Sequence, residues 1–381
     1  LWSNNHSSSP RLCASAAISR NSSPRLPRSY FRGMALRISY CPFRLLFRHP
    51  FATSHGVREG TDSIFIRLEE DGFTGHGEVT LPPYLKEKPQ AVIELLHRLA
   101  ALHITDSSAL LKALDDEAVF GEGSPGCRAG VHTALIDLLG KKAQRSAREL
   151  LDLPGDGTAI SLVTVGITPL AELEGRLREL PDSGALKVKV GHTGSVAMLN
   201  RIMELDDRRL FLDANQGLKH VKEAMELAEV VGDRLLGLEQ PFAVGMDALQ
   251  RDLQQQIDTS VYGDESIQSE ADIELQQGNF KGLNIKLMKC GGLDRAKKMA
   301  ERGKSLGMQV MLGSMSESSL GCTALAQLAG KAQVLDLDGP WLIKNDPFTG
   351  ITLEKGRMQV QDGPGIGARL TAELVFMPAV G

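Results

Sequence analysis

Cysteine is scarce and unpatterned. The five residues, Cys13, Cys41, Cys127, Cys290 and Cys322, are scattered with no CxxC pair, which argues against a disulfide framework or a zinc site and for a reducing compartment. No run of about eighteen apolar residues occurs, so nothing reads as a membrane-spanning helix. The body of the chain lacks any block of basic residues, and a net charge of −4 gives no footprint for nucleic acid. Asp, Glu and Lys are all missing from residues 1–33, which hold nine Ser and five Arg. That composition suits an organelle transit peptide; the alternative is upstream sequence ahead of a start at Met34. Either way the segment is expected to be a disordered leader outside the fold. The location expected is the cytoplasm, or an organelle if the leader is a transit peptide.

What is present is enough for a sizeable core: 381 residues, 42% hydrophobic and 24% charged. From Ala159 onward, short β-type runs recur: 159–165, 185–190, 209–214, 235–240, 260–265, 282–287, 308–313 and 333–338. Segments with helical spacing separate them, such as 218–233 and 292–307. Strands alternating with helices at this interval predict a parallel α/β barrel of the TIM type. Before it, the β-rich stretches 36–47 and 63–79 precede helical patterns near 88–103, 107–119 and 126–146. That order predicts a separate α+β domain over 34–150. The Gly- and Pro-rich tail 352–381 is expected to complete it, leaving 151–351 as the barrel.

The run "GALKVKVGHTG", 184–194, sets Lys187 and Lys189 inside an apolar strand. Alternate residues of a strand share a face, so two ammonium groups point the same way. The other predicted strands also carry charge near their C-terminal ends: Asp213, Glu239, Asp264, Lys286, and Asp336 with Asp338. Barrels of this type hold their active sites at that end. A single charge there is usually a rim residue or a helix cap, but eight on six strands converge on one mouth.

Three carboxylates from adjacent strands, Asp213, Glu239 and Asp264, cannot all ionise at close range without positive charge among them. The donors are all oxygen, which favours a hard cation, Mg2+ first and Mn2+ second. Lys189 and Lys286 come from opposite sides of that cation. The set suits removal of a proton from a carbon next to a carboxylate and its return from the other face. Lys187 is expected to tune Lys189, whose pKa, brought down toward ~7–8, would make it a general base at neutral pH.

With these residues in place, the chain resembles the enolase superfamily, in its muconate-lactonizing-enzyme-like subgroup. "KVK", "LDANQG", "LEQPF", "GDES" and "NIKLMKCGGL" occur in the family order. The resemblance implies a capping domain ahead of a modified (β/α)7β barrel. It also implies Asp213, Glu239 and Asp264 as Mg2+ ligands, Lys189 and Lys286 as paired acid/base catalysts, and assembly as a homo-oligomer. Lys286 is the lysine of "KLMK" that aligns with the catalytic one, and Lys289 is expected to face elsewhere.

The last strand, "VLDLDGP", carries Asp336 and Asp338 with no lysine of their own, and buried acceptors of this kind need a cationic partner. The Asp-x-Asp feature resembles the dipeptide epimerases, including L-Ala-D/L-Glu epimerases, where it holds the substrate's α-ammonium. By the same resemblance Ser314 and Ser316 lie beside the substrate, with Thr164 a neighbour. The activity implied is a Mg2+-dependent isomerase that epimerises dipeptides at the α-carbon of the C-terminal residue, by two-base 1,1-proton transfer through an enediolate. The alternatives are N-acylamino-acid racemisation, o-succinylbenzoate synthesis or cycloisomerisation, or a non-catalytic metal-binding paralogue. One departure concerns specificity. Members selective for Ala-Glu carry an arginine in the first capping loop, and here Gly56 falls at that position, with Arg58 two residues on.

Overall fold

The computed structural model describes residues 35–380, apart from 54, 55, 103, 122, 156, 157 and 362. The expected leader, 1–33, lies outside the described residues.

The N-terminal part opens with three antiparallel strands, β1 (Arg37–Thr53), β2 (Gly56–Glu70) and β3 (Phe73–Leu81). The long helix Pro125–Ala143 lies across them, buried over most of its length. Glycine at position 77 permits this approach, because a Cβ there would sit 1.9 Å from the Gly130 carbonyl oxygen. The tail returns to this sheet: Met377–Pro378 pairs with β1 at Tyr40 and Ser39. The tail hairpin, Thr352–Glu354 with Arg357–Gln359, lies by the barrel instead, where Met358 N donates to Ser161 Oγ at 2.8 Å.

Eight parallel strands close the barrel: β4 (Ile160–Val165), β5 (Ala185–Lys189), β6 (Arg209–Asp213), β7 (Leu235–Glu239), β8 (Val261–Gly263), β9 (Gly282–Ile285), β10 (Gln309–Gly313) and β11 (Val334–Asp336). The ring is completed where Val334 of β11 pairs with Ile160 of β4. Helices follow the first seven strands, but only the single turn Gly339–Leu342 follows β11. This is the (β/α)7β pattern that the family resemblance implied.

Side-chain alternation sorts each strand. Leu186, Val188, Leu210, Leu212, Leu283 and Ile285 face the helices and join the main core. Leu162, Ala185, Phe211, Tyr262, Met311 and Val334 fill the barrel interior as a smaller apolar cluster. Gly282 makes room for the Tyr262 ring, since a Cβ would lie 2.4 Å from it. Two residues beyond the inner apolar positions stand Thr164, Lys187, Asp213, Asp264 and Asp336. The barrel is therefore plugged by hydrocarbon below and charged above, because its strands have a period of two.

Candidate active site

At the C-terminal mouth a cavity of about 320 Å³ is lined by Lys187, Lys189, Asp264, Lys286, Asp336 and Asp338, among others. Thr164, Ser314 and Ser316 also line it, as do Phe51, Arg58 and Tyr84 from the N-terminal part.

Lys187 is almost fully buried, and its ammonium meets three carboxylates: Asp336 Oδ2 at 2.6 Å, Glu239 Oε2 at 2.8 Å and Asp213 Oδ2 at 2.9 Å. Lys189 Nζ donates to the same Asp213 oxygen at 2.6 Å. Across the mouth, Lys286 Nζ donates to Asp264 Oδ2 at 2.6 Å. Asn284 donates to Glu239 Oε1 at 2.8 Å, and Asn215 N to Asp213 Oδ1 at 3.0 Å.

Burial shifts these groups in different directions. It raises the carboxyl of Asp213, but the ammonium groups of Lys187 and Lys189 outweigh it and hold Asp213 well below the usual carboxylate range. Asp264 is likewise held low by Lys286 and Lys289 against its burial. Glu239 goes the other way: burial and the Asp213 charge push it up to about 7. Burial works against the ammonium of Lys187, yet Asp213, Asp336 and Glu239 raise it well above the usual lysine value. Lys286, also buried, is raised by Asp264 and Glu239.

These residues suit a hard cation. Asp213 and Glu239 present oxygens that converge on one point, 2.9 and 2.8 Å from Lys187 Nζ. Glu239 Oε2 is buried and, despite that ion pair, has no aligned hydrogen bond. Asp264 is turned toward Lys286 and Lys289, and among the described residues no three acidic, histidine or cysteine side chains converge tightly on one ion.

Several sequence expectations need correction. Asp336 does have a lysine partner, Lys187, because β11 and β5 both face the mouth across β4. Asp338 lies past the strand, at the head of the turn Gly339–Leu342, and does not cap it; its Oδ2 accepts from Thr164 N at 2.6 Å. The charges nearest to Lys187 are three carboxylates rather than the other lysine. Lys289 does not face elsewhere. Lys286 is followed by a helical turn, Leu287–Cys290, and residues three apart on a helix share a side. Lys289 therefore returns to Asp264, whose Oδ1 it meets at 2.6 Å.

Other residues of the site were not singled out in the sequence. Asn284 stands two before Lys286 and shares its face, a signal that alternation could have supplied. Gln240 follows Glu239 with φ +35° and accepts from the backbone N–H groups of Asp264 and Ser266, both at 3.0 Å. No sequence pattern marks that bridge. Gly56 is exposed and a Cβ there would meet nothing within 4 Å, whereas the Arg58 guanidinium lies over the rings of Phe47, Phe51 and Tyr84, 5.4–5.9 Å from their centroids.

Comparison with known proteins agrees with this architecture. The family model for the enolase C-terminal domain-like fold matches residues 172–374, and that for the mandelate racemase / muconate lactonizing enzyme N-terminal domain matches 41–152. The L-Ala-D/L-Glu epimerase of Bacteroides thetaiotaomicron is 32% identical over 344 residues, covering 89% of each chain. A hydrophobic dipeptide epimerase of Enterococcus faecalis is 30% identical, covering 85% of this chain and 96% of its own. Among solved structures, a dipeptide epimerase from Methylococcus capsulatus complexed with Mg and L-Arg-D-Lys superposes with a TM-score of 0.80 at 28% identity, covering 88% of this chain and 99% of that one. On its strand order, its charged mouth and these matches, the chain belongs to the mandelate racemase / muconate lactonizing enzyme family of the enolase superfamily.

Proposed function

We propose that the protein is a Mg2+-dependent dipeptide epimerase, an isomerase that inverts the α-carbon of the C-terminal residue by two-base 1,1-proton transfer. One observation carries this reading: in the ring of eight strands, β5 with Lys189 and β9 with Lys286 just beyond it are diametrically opposed. Asp213, Glu239 and Asp264 line the wall between them, on or just past β6, β7 and β8. Proton transfer on two faces of one carbon needs that separation.

Asp213, Glu239 and Asp264 are the residues that would hold the cation. Bound there, Mg2+ supplies positive charge that stabilises the negative charge developing on the substrate carboxylate. Lys189 and Lys286 pair with Asp213 and Asp264 respectively, both members of that trio. A lysine whose carboxylate is engaged elsewhere can lose its proton and serve as the base. One lysine removes the α-proton and the other delivers a proton to the opposite face. Lys187 orders the carboxylates between them.

Asp336 Oδ1 is buried without a hydrogen-bond partner, and burial together with the Asp336 charge pushes Asp338 up to about 6. Lys187 is shared among three carboxylates, so Asp336 Oδ1 and Asp338 have room for a further cation, and a dipeptide's α-ammonium supplies one. Thr164, Ser314 and Ser316 are assigned to the substrate's surroundings because they line the same cavity. Solved relatives crystallised with Mg and dipeptides, such as the Enterococcus faecalis enzyme with L-Leu-L-Tyr at 26% identity, support the substrate class.

The wider assignments belong to the same reading. Residues 34–150, completed by the end of the tail that pairs with β1 at Met377–Pro378, form the cap, and 151–351, joined by the hairpin 352–359, the catalytic barrel. The protein works as a homo-oligomer in a reducing compartment, the cytoplasm. Its buried thiols at Cys41, Cys127, Cys290 and Cys322 favour such a compartment.

The test is a screen of L,L-dipeptide mixtures in D2O with Mg2+, read by mass. The expected result is one deuterium gained at the C-terminal α-carbon, lost on addition of chelator. Exchange undiminished in excess chelator, or none with any dipeptide, would overturn the reading.

A further inference from the structure

Lys289 has no role in the proton transfers just described, yet its side chain is only 4% exposed. Burying an ammonium is costly unless every N–H finds a partner. Here Nζ meets four acceptors: Asp264 Oδ1 at 2.6 Å, the Asp264 carbonyl at 2.7 Å, and the carbonyls of Ile267 and Asn284, both at 2.9 Å. Its three N–H groups are saturated, so it has none to offer a substrate. Lys286, one helical turn earlier, donates to Asp264 Oδ2 and has no second carboxylate within ion-pair distance among the described residues.

The acceptors are placed at the end of one of the barrel's two shortest strands. Strand β8 has three residues, and Asp264 lies beyond its end, on a turn with no ladder to hold it. Lys289 ties the start of that turn to its end at Ile267 and to the tip of β9 at Asn284. Asn284 is also the residue that orients Glu239. Gln240 holds the amides of Asp264 and Ser266 from the other side.

We infer that Lys289 is a positioning residue for the cation site: it fixes Asp264 by its Oδ1 and its carbonyl, so that Oδ2 is the oxygen turned toward the mouth, and it offsets one of the three carboxylate charges. The inference rests on the assignment of Asp264 to the cation above. It adds that the site's affinity depends on a buried ammonium whose three N–H groups are all taken by protein oxygens.

Titration of the full-length protein with Mn2+ alone, followed by electron paramagnetic resonance, tests it without any turnover. Lys289→Met should weaken Mn2+ binding by roughly ten- to a hundredfold, as loss of an outer-sphere partner does. The control is Lys141→Met, which breaks the Lys141–Asp137 pair of the N-terminal part, 2.6 Å long; it should lower the melting temperature and leave Mn2+ affinity as in wild type. If Lys289→Met does not fold, Lys289→Gln carries the same test, since it keeps donors and removes the charge. Wild-type affinity in the Lys289 variant, or an equal loss in the Lys141 control, would overturn the inference and leave Lys289 a mere staple. A wild-type protein that binds no Mn2+ would instead overturn the cation assignment itself.

Discussion

Two lysines that pair with carboxylates at the same distance, 2.6 Å, are told apart from Lys289 by how few other partners they have. Lys189 and Lys286 each donate to one carboxylate oxygen, and each can give that bond up. Lys286→Ala is therefore expected to abolish epimerisation, a loss of roughly 10²–10⁴-fold for a general acid or base, while one stereoisomer still exchanges its α-hydrogen with solvent. Unchanged turnover, measured by polarimetry, would show that the reacting lysine is another. Asp338→Asn should raise KM for dipeptides roughly tenfold or more, the value of a lost charge-assisted hydrogen bond, and spare N-acetylated analogues; equal effects on both would undo the ammonium assignment. Arg58 stands over three aromatic rings and donates to Thr61, and burial lowers its pKa while Tyr84 offsets part of that. A half-buried cation at the mouth predicts that acidic substrate side chains are favoured. Arg58→Met should lower kcat/KM for dipeptides with a C-terminal Glu and leave apolar ones unchanged, and a uniform loss would argue against that role. Lys187, Asp213, Asp264 and Asp336 were legible in the sequence because each stands two residues after an apolar neighbour on the same face of its strand. Their pairings were not, since Lys187 and Asp336 meet across 149 residues of chain.

Between the elements, the loop 82–88 shows how the N-terminal part is fixed over the mouth. Tyr84 lines the cavity, and three residues later Glu87 turns inward to accept from Gly126 N at 2.8 Å and Cys127 N at 3.0 Å. These are first-turn amides of the helix Pro125–Ala143, whose own N-cap, Ser124, makes no side-chain bond. A carboxylate at that end also meets the positive pole of the helix. Glu87→Ala should cost about 1–3 kcal/mol through unsatisfied buried amides, lower the melting temperature and raise KM by loosening Tyr84. A KM equal to wild type would detach the loop from substrate binding. The eight barrel strands were legible as elements, though 260–265 and 333–338 proved to be only Val261–Gly263 and Val334–Asp336. Asp264 and Asp338 continue the alternation after the ladder has ended, so apolar pattern overstates the length of a strand at its functional tip.

At the scale of the molecule, the N-terminal sheet and the barrel meet through buried acids. Glu78 of β3 accepts from Ser318 N and Oγ and from Gly321 N, while Glu317 alongside accepts from Met315 N. Burial first, and then the Glu78 charge, push Glu317 up to about 8. Between its unfolded value near 4.5 and about 8, the folded chain keeps a proton that the unfolded chain has lost. Glu317 therefore makes stability fall as pH rises through that window, on the order of 1 kcal/mol per pH unit. Melting temperatures at pH 5 and pH 8 should converge in Glu317→Gln relative to wild type, and an unaltered difference would remove Glu317 from the effect. The sequence by itself determined the βα repeat and which charged residues gather at the mouth, because strand period and the alternation of strands with helices are local properties that repeat along the chain. Only the tertiary structure decided that Lys187 joins Asp336, that Lys289 returns to Asp264 and that Glu78 meets Glu317. Those partners are set by which strands become neighbours when the ring closes and by where the N-terminal sheet settles on it, and no local pattern encodes a distance across space.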